Sequence, residues 1–319
     1  MNNPCLIVAA TIVAAVSPLC ANAQTQRPLR VLVASAPAGP SDVQARLLTP
    51  KMSESLARTL IVDNRASNNG VFASELCAKA NPDGSTVCVG NSGTHAVNAT
   101  LYQKLPYDVL RDFAPITQFS TTGMVVAANP KLPGTALPDL VAHAKKNPGQ
   151  MNIAIAGATG QLAGDALWSR LGIQMNNVHY KGSAPSEMAV VAGESHISLL
   201  TPLATMNHIA SGRIKPYGIT SAQRHPLLPQ VPTIAEQGVQ GYDFQYWNGL
   251  FAPKKIPDRT VRELHKAALH ALAAPEVKER FAALGLVIVG NSPEEFSRVV
   301  RTDVEKFRKV ILESGIPRL

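Results

Sequence analysis

The chain has 319 residues and a formal net charge of +8, with 45% hydrophobic and 16% charged side chains and no long polar tract. That length exceeds one ordinary core and fits two domains, and the composition excludes disordered, fibrous and low-complexity classes. The basic residues are scattered, with no Lys/Arg block interleaved with aromatics, which argues against a nucleic-acid partner, while a positive field helps anionic solutes approach.

The first 23 residues carry no Lys, Arg, Asp or Glu, and Leu6 to Val16 is an apolar run too short to span a bilayer. With Ala21-Asn22-Ala23 behind it, the run predicts a signal peptide over residues 1–23, cleaved near Ala23, and so an exported protein. The rival, a lipoprotein signal ending at Cys20, is weakened by the Ser17-Pro18-Leu19 before it. No later stretch has the ~20 apolar residues of a membrane span, so the protein is not expected to be membrane-embedded. Cleavage would leave Cys77 and Cys88. They pair across Asn81-Pro82-Asp83-Gly84 or remain separate buried thiols; an oxidising compartment favours the disulfide, and the Cα separation decides.

Arg30 to Ser35 reads as a strand, and Ala36-Pro37-Ala38-Gly39-Pro40 forces a turn. Ser41 and Asp42 are N-caps for a helix whose apolar positions are Val43, Leu47, Leu48 and Met52. A strand at Thr59 to Val62, a helix at Phe72 to Ala80 and a strand at Thr86 to Gly90 follow. The rhythm restarts with strands at Met124 to Ala128, Met151 to Ala156, Ile197 to Leu200 and Ile214 to Thr220, and helices at Leu137 to Lys146, Leu162 to Leu171 and Ser183 to Ala192. Beyond a strand at Gly249 to Ala252 the chain is mainly helical, Asp258 to Leu284 and Pro293 to Ser314, with Val287 to Val289 between them.

This alternation predicts the α/β class, each lobe a mainly parallel sheet flanked by helices. The C-terminal helices need a sheet to cover, and the first, with only three early strands, is left open. Lobe one is therefore expected at residues 24–124 plus 222–319 and lobe two at 125–221, joined by two crossings that form a hinge.

Ala36-Pro37-Ala38-Gly39-Pro40-Ser41-Asp42, Asn81-Pro82-Asp83-Gly84, Ser92-Gly93-Thr94-His95-Ala96, Leu105-Pro106-Tyr107-Asp108 and Arg111-Asp112-Phe113-Ala114-Pro115 resemble motifs of the Bug receptors. These are the substrate-binding proteins of tripartite tricarboxylate transporters. Tyr180-Lys181-Gly182-Ser183-Ala184-Pro185, Val231-Pro232-Thr233-Ile234-Ala235-Glu236 and Pro293-Glu294-Glu295-Phe296 extend the resemblance over essentially the whole mature chain. The resemblance implies a two-lobed, type II periplasmic-binding-protein fold of the Venus-flytrap kind, a periplasmic location, and an amino acid or organic carboxylate as ligand. It also implies a grip made largely of backbone amides and ordered water, and transporter membrane subunits as partners. A monomer is expected. Loops that leave parallel strands and enter helices give this grip physical sense, because they present unpaired N–H groups and a positive dipole end.

Four turns and two later positions are the candidate ligand contacts. The first turn offers Pro37, Ala38, Gly39, Ser41 and Asp42; a plain N-capped turn is the alternative, and Pro40 removes one amide where relatives commonly have adjacent glycines. The second offers Ser92, Gly93, Thr94 and His95, the last being a contact or a hydrogen-bonded structural group. The third, Ala156, Gly157, Ala158 and Thr159, makes a carboxylate nest before a helix, with Gln161 near the place where relatives often carry His. The fourth is Gly182 and Ser183, with Lys181 ranked below their backbone. Thr201 is also expected at the site. Leu200-Thr201 stands where family members often have Asp-Asn, and the missing acid points away from an amino acid. Trp247 walls the pocket or is a buried aromatic.

An enzyme is not expected. No G-x-S-x-G occurs, the eight histidines are not at metal-ligand spacing, and no G-x-G-x-x-G or phosphate-loop lysine follows a strand. No catalytic residue, metal or cofactor is therefore assigned. A receptor that reports its ligand to a signalling partner instead of a transporter remains the alternative function.

Overall fold

The computed structural model describes residues 27–313 and 315–319; the predicted signal peptide, with Cys5 and Cys20, lies outside the described residues. The chain opens with β1 (Leu29–Val33), α1 (Pro40–Leu56), β2 (Leu60–Asn64), α2 (Val71–Ala78) and β3 (Thr86–Asn91). A π-helical turn over Gly93–Val97 and the short α3 (Asn98–Leu101) lead to β4 (Phe113–Gly123). Next come β5 (Val125–Ala128), α4 (Leu137–Lys146), β6 (Asn152–Ile155), α5 (Ala158–Leu171), β7 (Asn176–His179), α6 (Ser183–Ala192), β8 (Ile197–Leu200), α7 (Pro202–Ala210) and β9 (Lys215–Ile219). The chain closes with β10 (Gln245–Pro253), α8 (Asp258–Ala273), α9 (Pro275–Ala283), β11 (Val287–Ile288) and α10 (Pro293–Glu313).

The strands form two mixed sheets, ordered β11-β4-β10-β3-β1-β2 and β7-β6-β8-β5-β9. In the first, β1 is parallel to β2 and β3, whereas β10 runs antiparallel to β3 and β4. In the second, β6 is parallel to β7 and β8, and β5 is antiparallel to β8 and β9. Strands inside the sheet edges, such as β1, are apolar and nearly wholly buried because helices cover both faces. The last helices read as one-sided stripes: α8 buries Leu264, Ala267, Ala268, Ala271 and Leu272, and α10 buries Phe296, Val300, Val304, Phe307 and Ile311. The helix expected over Asp258 to Leu284 is broken at Ala274, whose ψ of 133° is extended, because the residue before a proline is pushed out of the helical region.

Met124 alone separates β4 of the first sheet from β5 of the second. The return crossing is tied to it: Met124 N donates to Thr220 Oγ1 at 2.8 Å, Thr220 Oγ1 donates to Phe244 O at 2.6 Å, and Phe244 N donates to Thr220 O at 2.9 Å. Gly123 is required here, since a Cβ on it would lie 2.2 Å from Ser221 Oγ. The stretch around residues 228–242, expected with lobe one, packs on the second sheet instead. Leu228 and Val231 join the cluster of Val125 and Ile219, Thr233 bridges to Ile219, and Tyr242 OH donates to Ala163 O at 2.7 Å.

Cys77 and Cys88 form a disulfide with their Cα atoms 6.1 Å apart, joining α2 to β3. Among the described residues no helix is long and apolar enough to cross a membrane, and no group of three or more His, Cys, Asp or Glu is placed to hold a metal ion.

Candidate functional site

A cavity of about 630 Å³ lies between the two lobes. One wall comes from residues 34–37, 39, 40, 66, 67, 69, 70, 91, 93 and 94 with Tyr246, the other from 156–160, 179–185 and 199–201, with Met124 between them. These are loops at the carboxyl ends of β1, β2, β3, β6, β7 and β8, where open α/β sheets place ligands.

Four helices start at this cavity. Pro40 of α1, Ala158 of α5, Ser183 of α6 and Thr201, the N-cap of α7, all line it. None of the four N-termini has a side-chain cap. First-turn amides that no capping side chain occupies, each at the positive end of a dipole, make a wall that attracts negative charge. Lys181 also lines it, and no Asp, Glu or Arg does so among the described residues.

The side chains nearby are largely engaged with the protein itself. Ser41 Oγ donates to Asn248 Oδ1 at 2.6 Å and meets Tyr246 OH at 3.1 Å. Burial raises the Tyr246 phenol above its usual value, so it stays protonated as a donor. Asp42 accepts from Ala38 N at 2.8 Å, Arg46 Nε at 2.9 Å and Asn64 Nδ2 at 2.9 Å. Burial pushes the Asp42 carboxyl up, but those bonds outweigh it and hold the group below the ordinary carboxylate value. The bond from Ala38 keeps that residue in a left-handed turn, φ 63°, that costs an L-residue about 1–2 kcal/mol.

In the second turn Asn91 Oδ1 takes both following amides, Gly93 N at 2.9 Å and Thr94 N at 3.0 Å. His95 is fully buried, stacked on Phe251 with centroids 4.0 Å apart and bonded through Nδ1 to Thr94 Oγ1 at 2.8 Å. Its burial drives the imidazole pKa down to about 3, so the ring is neutral near pH 7.

A model of the tripartite tricarboxylate transporter family receptor matches residues 44–316. The chain belongs to this family. The receptor is 30% identical over 302 residues to protein BugT of Bordetella pertussis, covering 94% of this chain and 93% of BugT. It is similar to a Rhodopseudomonas palustris protein solved with adipate, at 29% identity and TM-score 0.88 over 92% of this chain and 99% of that one. MatC of the same organism, solved with malate, gives 28% identity and TM-score 0.86 over 89% and 99%. The two-lobed α/β fold expected from the motifs is the fold of these relatives, and the family is one of solute-binding receptors.

Of the residues singled out in the sequence, Pro37, Gly39, Gly93, Thr94, Ala156, Gly157, Ala158, Thr159, Gly182, Ser183 and Thr201 line the receptor's cavity. Ser41, Asp42, Ser92, His95 and Trp247 are buried behind its wall, and Ala38 is exposed outside it. Trp247 is buried on the far side of β10, its Nε1 donating to Asp303 Oδ2 at 2.7 Å. Ser67, Asn69, Asn91, His179 and Tyr246 line the cavity without having been chosen. Tyr246 carried a signal, since it alternates with Trp247 along the same strand; Ser67 and Asn69 sit in a polar loop with no motif.

Proposed function

We propose that this receptor captures a small organic carboxylate in the interlobe cavity and hands it to the membrane subunits of a tripartite tricarboxylate-type transporter. The observation that carries the reading is the convergence of four N-termini without side-chain caps on a cavity whose wall includes Lys181 and no acidic side chain among the described residues. Such a wall stabilises an anion through dipoles and N–H donors and offers an ammonium group no carboxylate among the described residues. Adipate and malate in the two similar structures support the acid class. The lining also holds Met124, Leu199, Leu200 and several alanines and prolines, which suit a hydrocarbon body between polar ends. Export through the predicted signal peptide would place this capture in the periplasm.

The test is a thermal-shift screen of organic acids against amino acids. A ligand that binds only the folded receptor raises its stability, by about 2.7 kcal/mol at a hundredfold excess over Kd. At least one plain acid should raise Tm by several degrees while amino acids leave it unmoved. Shifts confined to amino acids, or to neutral solutes, would sink the reading.

A further inference from the structure

We infer that Ser92 and Thr159 are positioning residues that tie the two lobes together at the cavity, with their hydroxyls engaged on each other. Ser92 follows β3 of the first sheet and Thr159 sits in the first turn of α5 over the second, 67 residues apart in sequence. Their oxygens are 3.0 Å apart, and the residues are 0% and 3% exposed. The lobes approach closely here: a Cβ on Gly93 would lie 3.1 Å from Thr159 Oγ1 and 3.4 Å from Thr159 N. Glycine at 93 therefore lets the second turn reach the N-terminus of α5.

The π-helical turn also packs directly on α5, and α10 packs on both, within one continuous apolar cluster. Ser92–Thr159 is thus a polar tie directly beside the ligand wall, since Gly93 and Thr159 both line the cavity. A ligand gripped from both lobes binds only when they are together, so its apparent affinity scales with the fraction of molecules in that state. A buried hydroxyl pair raises that fraction, and removing one partner leaves the other unsatisfied. The ligand half of this inference rests on the carboxylate reading above; the tie itself does not.

The experiment compares the mature wild-type protein with Ser92→Ala, Thr159→Val, the double variant and Thr159→Ser, which keeps the hydroxyl. Small-angle scattering of the unliganded proteins gives the radius of gyration, titration calorimetry with adipate and malate gives affinity, and melting reports folding. Each single variant is expected to weaken acid binding about five- to twentyfold. The double variant should be no worse than the weaker single variant, and Thr159→Ser close to wild type. A larger radius of gyration in the hydroxyl-less variants, with Tm near the wild-type value, supports the tie. Multiplying affinity losses with an unchanged radius would mean two separate ligand contacts and overturn it, as would no change in either quantity. If neither acid binds, the carboxylate reading is in question, and scattering alone decides the tie: a larger radius keeps it, an unchanged one rejects it.

Discussion

His95 shows how a titratable group near a binding cavity can belong wholly to the fold. Its ring is packed against Phe251 and Phe113, 4.0 and 4.4 Å between centroids, with no outlet to the cavity wall. The unfolded imidazole titrates near 6.5 and the folded one at about 3. The neutral ring's contribution is therefore fully present above pH ~6.5 and is lost as pH falls from there towards 3, at up to ~1.4 kcal/mol per pH unit. Urea denaturation between pH 7 and pH 4 should show this slope in the wild type and a shallower one in His95→Gln. Equal slopes would assign the acid sensitivity to other groups. The residue types of the site were legible because Gly, Ser and Thr after a strand and before a helix announce a donor-rich turn. Their partners were not. Ser41 is bonded across 207 residues to Asn248, and Ser92 across 67 to Thr159. Which hydroxyl is engaged inside the protein depends on contacts that no local pattern encodes.

At the scale of elements, strands with apolar runs and helices with clear stripes could be read directly, whereas β4 could not. Its Thr117, Gln118, Ser120 and Thr122 look like loop residues, yet they are buried in the first sheet beside its edge strand β11. The sheet tolerates them because each finds a partner: Thr117 Oγ1 donates to Asn291 O at 2.7 Å, Ser120 Oγ to Gln44 Oε1 at 2.7 Å and Thr122 Oγ1 to Gly285 O at 3.1 Å. The disulfide belongs to this scale as well. It joins α2, which follows the Ser67–Gly70 wall, to β3, which ends at Asn91, so it braces two cavity loops from behind. Closing a loop between positions 11 apart restricts the unfolded chain, and Cys77→Ala/Cys88→Ala should lose about 3 kcal/mol of stability. Chemical denaturation checks this; a loss below 1 kcal/mol would show that the elements are fixed by packing alone.

For the whole molecule, the return of the chain was legible from the number of elements: three early strands cannot cover the long helices that end the sequence. Where the second crossing runs was not, because the stretch near residues 228–242 has neither helical nor strand periodicity and is held by contacts remote in sequence, such as Leu228 and Val231 with Val125 and Tyr242 with Ala163. The two crossings are knitted at Met124, Thr220 and Phe244, and Met124 lines the cavity between the lobes. In the proposed reading this cavity selects a carboxylate by its charge, through helix ends and Lys181. Titration calorimetry of the ligand-free receptor with the best acid from the screen, and with its primary amide of nearly equal shape, separates the effect of charge from that of shape. Loss of the charge is predicted to weaken binding at least about a hundredfold, as expected when charge-assisted hydrogen bonds of about 1.5–3 kcal/mol each are lost. Equal affinity for acid and amide would contradict it.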